Sequence, residues 1–380
     1  MRIFHADELA ARIAPLFEEN FARYGELGAA VSIWQNGRSI LELSGGHRDA
    51  SGQKPWRSDT IALFWSATKG LGSACLLHVL QECSIGLERR VAEFWPEFAQ
   101  AGKGTITFAQ LLSHQGGLAA LDQTAEVTDH AEVVRALELQ KPLWPPGTAH
   151  GYHARTFGFL LDELVRRIDG RTLGDYWREI FAKPLGLEIW IGLPLEENDR
   201  AATIYAAKAS GSPKDPFYRA LTTPGTLQRR VFASPRGLHA VSAMNAPENR
   251  ARSLVSLGGI GRASALGKFY AMLADGGELE GKHLFSTATI AQMTTTLTSG
   301  PDRVLLLPTA FSAGFMKDPP EAEPRIFGPS ALAFGHPGAG GSHAFADPEN
   351  HLAFAYLMNQ MEQQVLPNEK SLRMVKALYR

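Results

Sequence analysis

"GSHAFADPENHLAFAYLMNQ", residues 341–360, decides the reading of the fold. Two runs rich in alanine and aromatic residues flank Asp347-Pro348-Glu349-Asn350, a set of turn formers, so the stretch reads as two strands joined by a short turn. Near the other end, "LGAAVSIWQNGRSILELSGGH" (27–47) reads as a second hairpin. Its Asn36-Gly37 pair suits a type I′ turn, in which both central residues take positive φ. Helical patterns lie outside the two hairpins. Leu9, Ile13 and Phe17 recur at helical spacing before the first, and "NEKSLRMVKALYR" (368–380) reads as a helix after the second.

Between the hairpins the chain is mainly helical. One helix starts near Ser66 and runs to about Glu82, with Leu71, Ala74, Leu77 and Leu80 inward. Another follows Tyr152, where Phe157, Leu160, Leu161, Leu164, Val165 and Ile168 keep the i, i+3, i+4, i+7 rule until Asp169-Gly170 closes it. Residues 195–256 lack periodicity and read as an irregular lid or wall. The fold expected is therefore α/β: an antiparallel sheet built from both ends of the chain, flanked by terminal helices, with a mainly helical subdomain inserted. The expected division is 1–65 with 257–380 for the first unit and 66–256 for the second.

The 380 residues are 44% apolar and 20% charged, with a net charge of -1. That balance offers no electrostatic footprint for nucleic acid or an anionic membrane. No apolar run approaches the roughly 18 residues that span a bilayer, and the N-terminal stretch does not read as a signal peptide, so a cytoplasmic location is expected. Cys75 and Cys83, about 12 Å apart along one helix, are beyond disulfide reach. Both are expected to be reduced and buried.

Two Ser-x-x-Lys matches occur. "SGQK" (51–54) lies in a polar loop, where Pro55 disfavours helical geometry at Lys54. "SATK" (66–69) follows the apolar run Ile61–Trp65 at a helix start, so Lys69 projects from the same face as Ser66 one turn later. Phe64, Trp65 and Leu71 would strip water from that amine and lower its pKa, and a neutral amine beside a hydroxyl can take its proton. An N-cap serine followed by a surface lysine would leave the same four residues. Downstream, "PPGTAHGYHARTFGFLL" (145–161) sets Tyr152 between a Pro-Gly turn and a helix, where it either lines a cleft or simply packs. "FGHPGAGGSHAF" (334–345) puts His336-Pro337-Gly338 in a glycine-dense strand, which either lets a ligand approach the backbone or marks a sheet edge.

The order of a Ser-x-x-Lys helix, a tyrosine motif and a strand ending in glycine resembles that of serine β-lactamases and penicillin-binding proteins. The chain is most similar to class C β-lactamases and the related family VIII carboxylesterases. "TITFAQLLSHQGGL" (105–118), "WPPGTAHGYHARTFGFLLDELVRR" (144–167) and "PLGLEIWIGLP" (184–194) resemble stretches of the esterase-like branch, and the resemblance covers residues 5–380. It implies a β-lactamase-like fold and an acyl-enzyme on Ser66, with Lys69 and Tyr152 sharing the proton and either one as the base. It also implies an oxyanion hole from the backbone N–H groups of Ser66 and Ala339, and neither metal nor cofactor. His114 and His150 are expected to be structural or surface residues. Substrate contacts are expected from His336, Gly338, His153, Trp65 and Trp144.

Two departures from the lactamase pattern bear on substrate. The Tyr-x-Asn motif is Tyr152-His153-Ala154 here, and the Lys-Thr-Gly motif is His336-Pro337-Gly338. Groups that hold a lactam amide and carboxylate are thus missing, which favours small neutral esters of short to medium acyl length. Protonated His336 would restore a cation below about pH 6.5. The alternatives are a β-lactamase or D-amino peptidase, an acyltransferase of the same chemistry, or a non-catalytic penicillin-binding-like protein.

Overall fold

The computed structural model describes residues 3–208 and 215–380. Its main element is an eight-stranded antiparallel sheet. Arg38–Gly46 forms one edge, followed by Gly28–Gln35, Leu352–Met358 and His343–Asp347. Phe334–Gly335, Met316–Lys317, Pro308–Phe311 and Thr298–Pro301 complete it. Strands from the two ends of the chain therefore lie side by side, with Ala29 opposite Met358 and Gln35 opposite Leu352. Asn36 and Gly37 turn the first hairpin at φ 51° and 68°, the left-handed pair that a type I′ turn requires.

Side chains alternate across this sheet, and both faces are covered. Ala29, Val31, Ile33, Phe354 and Tyr356 face the terminal helices Ala6–Arg23 and Glu369–Leu378, meeting Leu9, Ile13, Phe17 and Met374. Ala353, Ala355 and Leu357 face the helix Ala263–Ala274 with Leu266, Phe269 and Tyr270. Gly267 permits that close approach, because a Cβ there would lie 2.9 Å from Trp34. Asn20 Nδ2 donates to the Lys370 carbonyl at 3.2 Å, and Arg373 donates to Asn20 Oδ1 at 2.9 Å, so polar bonds tie the first helix to the last.

The Thr68–Glu82 helix is buried on all sides from Thr68 to Leu80, which makes it a core helix rather than an amphipathic surface one. It packs against Phe157–Asp169, closed by Gly170 at φ 95°. A small sheet of Ala62–Leu63, Gly259–Gly261 and Ile189–Ile191 sits at its N-terminal end.

Several details depart from the sequence reading. Cys75 is buried but Cys83 is exposed, because the helix ends there and its last residue leaves the core. Residues 195–256 are less irregular than their lack of periodicity suggests, although 209–214 lie outside the described residues. They hold the helices Pro216–Thr222 and Leu227–Ala233, capped by Asp215 and Thr226. Seven residues span too few turns for a hydrophobic period to register. His336-Pro337-Gly338 lies just past the short strand Phe334–Gly335 and before a turn at Ala339–Gly341, not within a long strand. No described helix is long and apolar enough to cross a membrane.

Candidate active site

Ser66 sits in a single 3-10 turn, Trp65–Ala67, leading directly into the Thr68–Glu82 helix. Trp65 takes φ 52°, a backbone conformation that costs a bulky residue energy and persists only where its surroundings enforce it. The enforcement is visible. Thr68 Oγ1 donates to the Trp65 carbonyl at 2.6 Å and accepts from Gly259 N at 2.8 Å, while Phe64 N donates to the Gly259 carbonyl at 2.8 Å. The turn carrying Ser66 is thereby stitched to the strand Gly259–Gly261.

Lys69 is fully buried, with Nζ 3.2 Å from Ser66 Oγ and donating to the carbonyls of Ala154 and Ser256, each at 2.8 Å. Burial, reinforced by the nearby Arg155 guanidinium, pushes its pKa well below that of a free lysine. A neutral amine has two N–H donors and one lone pair. In that form the two carbonyls would take the donors and the lone pair would face the Ser66 hydroxyl. Ser66 and Lys69 thus meet within hydrogen-bond distance at a buried amine, whereas Lys54 pairs with Asp49 at 3.6 Å and Ser51 bonds Asp49 in an exposed loop.

Tyr152 is held by its backbone, N donating to Asp302 Oδ1 at 3.1 Å, and by its ring, stacked on Phe311 with an interplanar angle of 9°. Lys69 Nζ lies 4.9 Å from the ring centroid. The phenol hydroxyl is buried without a hydrogen bond of regular geometry. Burial raises its pKa, opposed by the proximity of Ser66, so it stays a phenol rather than a phenolate. The backbone N–H groups of Ser66 and Ala339 each belong to a short 3-10 turn, where the first N–H groups have no partner within the turn.

Ser66, Tyr152, Trp65, His336 and Ala339 meet on the wall of one cavity of about 520 Å³. Phe217, Tyr218, Leu221 and Phe232 also line it, together with Arg155, Arg229 and Glu362. A larger depression of about 780 Å³ opens beside Lys317 and Asp318, and contains none of Ser66, Lys69 or Tyr152.

Trp144, His153 and Gly338, expected at the substrate, do not line the cavity. His153 stands behind Tyr152, with Nε2 accepting from Leu118 N and Nδ1 bonded to the Gly151 carbonyl, both at 2.8 Å. Trp144 is buried against His153, with ring centroids 6.1 Å apart. Gly338 serves packing: a Cβ there would lie 2.0 Å from the Phe64 carbonyl, two residues before Ser66. Gly338→Ala is expected to cost about 1–3 kcal/mol through overpacking, read from chemical denaturation. An unchanged midpoint would refute this role.

His336 is buried and its pKa lies at about 3, lowered by burial and by Lys69 against the Pro337 carbonyl. The expectation of an imidazolium below about pH 6.5 is therefore corrected: the ring is neutral across the working range. His114 and His150 are buried and structural. His114 accepts from His153 N at 3.2 Å, and His150 bonds Thr309 and Thr298. Ser256, Asp302 and Arg155, which position Lys69, Tyr152 and the cavity wall, carry no motif that the sequence could have flagged.

The sequence profile of the β-lactamase family matches residues 13–378. The chain belongs to the β-lactamase family. Among its relatives in that family, the esterase/β-lactamase LipL of Mycobacterium tuberculosis is 30% identical over 374 residues, covering 95% of this chain and 83% of LipL. A penicillin-binding protein homologue from Caulobacter crescentus is 36% identical with a TM-score of 0.88, covering 100% of this chain and 98% of that one. A family VIII carboxylesterase is 34% identical with a TM-score of 0.87, covering 100% and 99%. The fold is β-lactamase-like, and the protein is a hydrolase of the serine β-lactamase and penicillin-binding protein superfamily.

Proposed function

We propose that this β-lactamase-family hydrolase is a serine carboxylesterase acting on neutral esters of short to medium acyl length. The observation that carries the ester reading is His336, a neutral buried ring at the position where a lactam carboxylate would require a cation. Ala154, which has no amide to offer a lactam side chain, and the similarity to a family VIII carboxylesterase support it.

In this mechanism Lys69 takes the proton from Ser66 Oγ as that oxygen bonds to the ester carbonyl carbon. The resulting oxyanion is held by the N–H groups of Ser66 and Ala339. As the carbon–oxygen ester bond breaks, Tyr152 passes a proton to the leaving alkoxide and is reprotonated from Lys69, releasing the alcohol. Water then attacks the acyl-enzyme, giving one proton to the same pair. Collapse returns a proton to Ser66 and releases the acid.

Neutral esters should exceed lactams by on the order of a hundredfold in kcat/KM, because two lost polar contacts at about 1–3 kcal/mol each total about 2–6 kcal/mol, a factor of roughly 30 or more. The measurement compares p-nitrophenyl esters of increasing acyl length with nitrocefin, alongside Ala154→Asn and His336→Lys. Nitrocefin turnover equal to or above that of p-nitrophenyl butyrate would make the protein a lactamase, the second activity in LipL's name.

The pH profile follows from Lys69. Its protonated form cannot accept from Ser66, so kcat/KM should rise with pH and reach a plateau once the amine is neutral. Because burial lowers that pKa, the rise should lie well below the ordinary lysine range. With His336 near 3, no histidine limb from that ring should appear between about pH 5 and 8. A rise delayed to the ordinary lysine range would refute Lys69 as the base.

A further inference from the structure

His336 has a fixed tautomer with a consequence for substrate choice. Its Nδ1 lies 2.8 Å from the Pro337 carbonyl, which can only accept, so Nδ1 carries the ring proton. Nε2 is then a bare lone pair. It is buried, it has no hydrogen-bond partner among the described residues, and His336 is one of the residues that line the Ser66 cavity. Burial that keeps the ring neutral preserves this acceptor throughout the working pH range. A buried acceptor left unmet penalises a bound molecule that cannot reach it and rewards one that brings a donor.

The location decides which part of the substrate meets that lone pair. The His336 ring is tilted against the Tyr152 ring with centroids 5.9 Å apart, and Tyr152 is the residue assigned to protonate the leaving oxygen. Phe217, Tyr218, Leu221 and Phe232 form the apolar part of the cavity wall, where the Tyr218 hydroxyl is their one polar group, while Arg155, Arg229 and Glu362 line it elsewhere. Acyl chain towards that apolar part and alcohol towards His336 is the orientation that satisfies both ends. Resting on the esterase reading, we infer that His336 Nε2 selects esters whose alcohol carries a free hydroxyl next to the ester oxygen, as in monoesters of a vicinal diol or polyol. A substrate carboxylate would meet lone pair with lone pair and be rejected. No bond is made or broken by His336; it is a specificity-determining residue.

The test uses an isosteric pair, 2-hydroxyethyl butyrate and propyl butyrate, which differ by a hydroxyl in place of a methyl. In the wild type, kcat/KM for the hydroxyethyl ester should exceed that for the propyl ester by about tenfold, equivalent to about 1.4 kcal/mol. In His336→Phe, which has no acceptor, that ratio should fall to about one or below, and in His336→Gln, which offers an amide oxygen, it should partly return. A wild-type ratio at or below one overturns the inference by itself, even if neither variant folds. So does a ratio that survives in folded His336→Phe, or a preference for p-nitrophenyl 3-hydroxybutyrate over the valerate ester with none for the alcohol pair. Ser66-dependent hydrolysis of p-nitrophenyl butyrate is measured separately. If it persists while the pair shows no preference, the esterase reading stands and this inference fails; if it is absent, the esterase reading itself has failed.

Discussion

Ser66→Ala is expected to lower ester turnover by on the order of 10⁵-fold or more, the scale on which removing an activated nucleophile acts when the rest of the site remains. The fold should survive. Ser66 is only partly buried, and without its hydroxyl Lys69 still donates to Ala154 and Ser256, so stability should change by about 1 kcal/mol or less. A serine-directed phosphonate should add mass to the peptide containing Ser66 in the wild type and not in the variant. Labelling at Ser51, which bonds Asp49 in an exposed loop, or at Ser342, which is buried beside the late glycines, would refute the assignment.

The second large effect concerns coupling between Lys69 and Tyr152. The amine stands 3.2 Å from Ser66 Oγ and 4.9 Å from the Tyr152 ring, so the two residues bracket one proton path. Lys69→Ala and Tyr152→Phe should each cost about 10²–10⁴-fold in kcat, the range for positioned acid–base groups. The double variant should be little worse than the poorer single one, because a broken relay is not broken twice. Losses that multiply would mean independent roles. The outcome also separates the assignments of base and relay. If Lys69 is the base and Tyr152 only relays to the leaving group, an activated ester with a good leaving group should partly rescue Tyr152→Phe but not Lys69→Ala.

Features carried by local rules were legible in the sequence. The Asn36-Gly37 turn follows from two residues that tolerate positive φ, and the Phe157–Asp169 helix follows from its apolar period and closing glycine. The last hairpin, His343–Asp347 with Leu352–Met358, was marked by turn formers between apolar runs. The strands Phe334–Gly335 and Met316–Lys317 were not legible, because two residues cannot express an alternation. Nor were the seven-residue helices over the cavity. His153 illustrates a different failure: its place in the tyrosine motif suggests substrate contact, yet both of its ring nitrogens are taken by backbone groups of Leu118 and Gly151.

The amino-acid sequence alone established that Ser66 and Lys69 share one face of a helix start, since a separation of three residues places them so in any helix. It also determined that hairpins near both ends of the chain bracket a helical middle. Tertiary structure decided what the lysine is. Its lowered pKa depends on burial and on Arg155, and its amine is held by carbonyls 85 and 187 residues away in the chain, at Ala154 and Ser256. Tertiary structure likewise decided that Gly338 makes room for the Phe64 carbonyl, and that burial holds the His336 ring neutral. Helix and turn formation depend on neighbours along the chain, whereas desolvation, close approach and tautomer depend on whichever distant residues folding brings within a few ångströms.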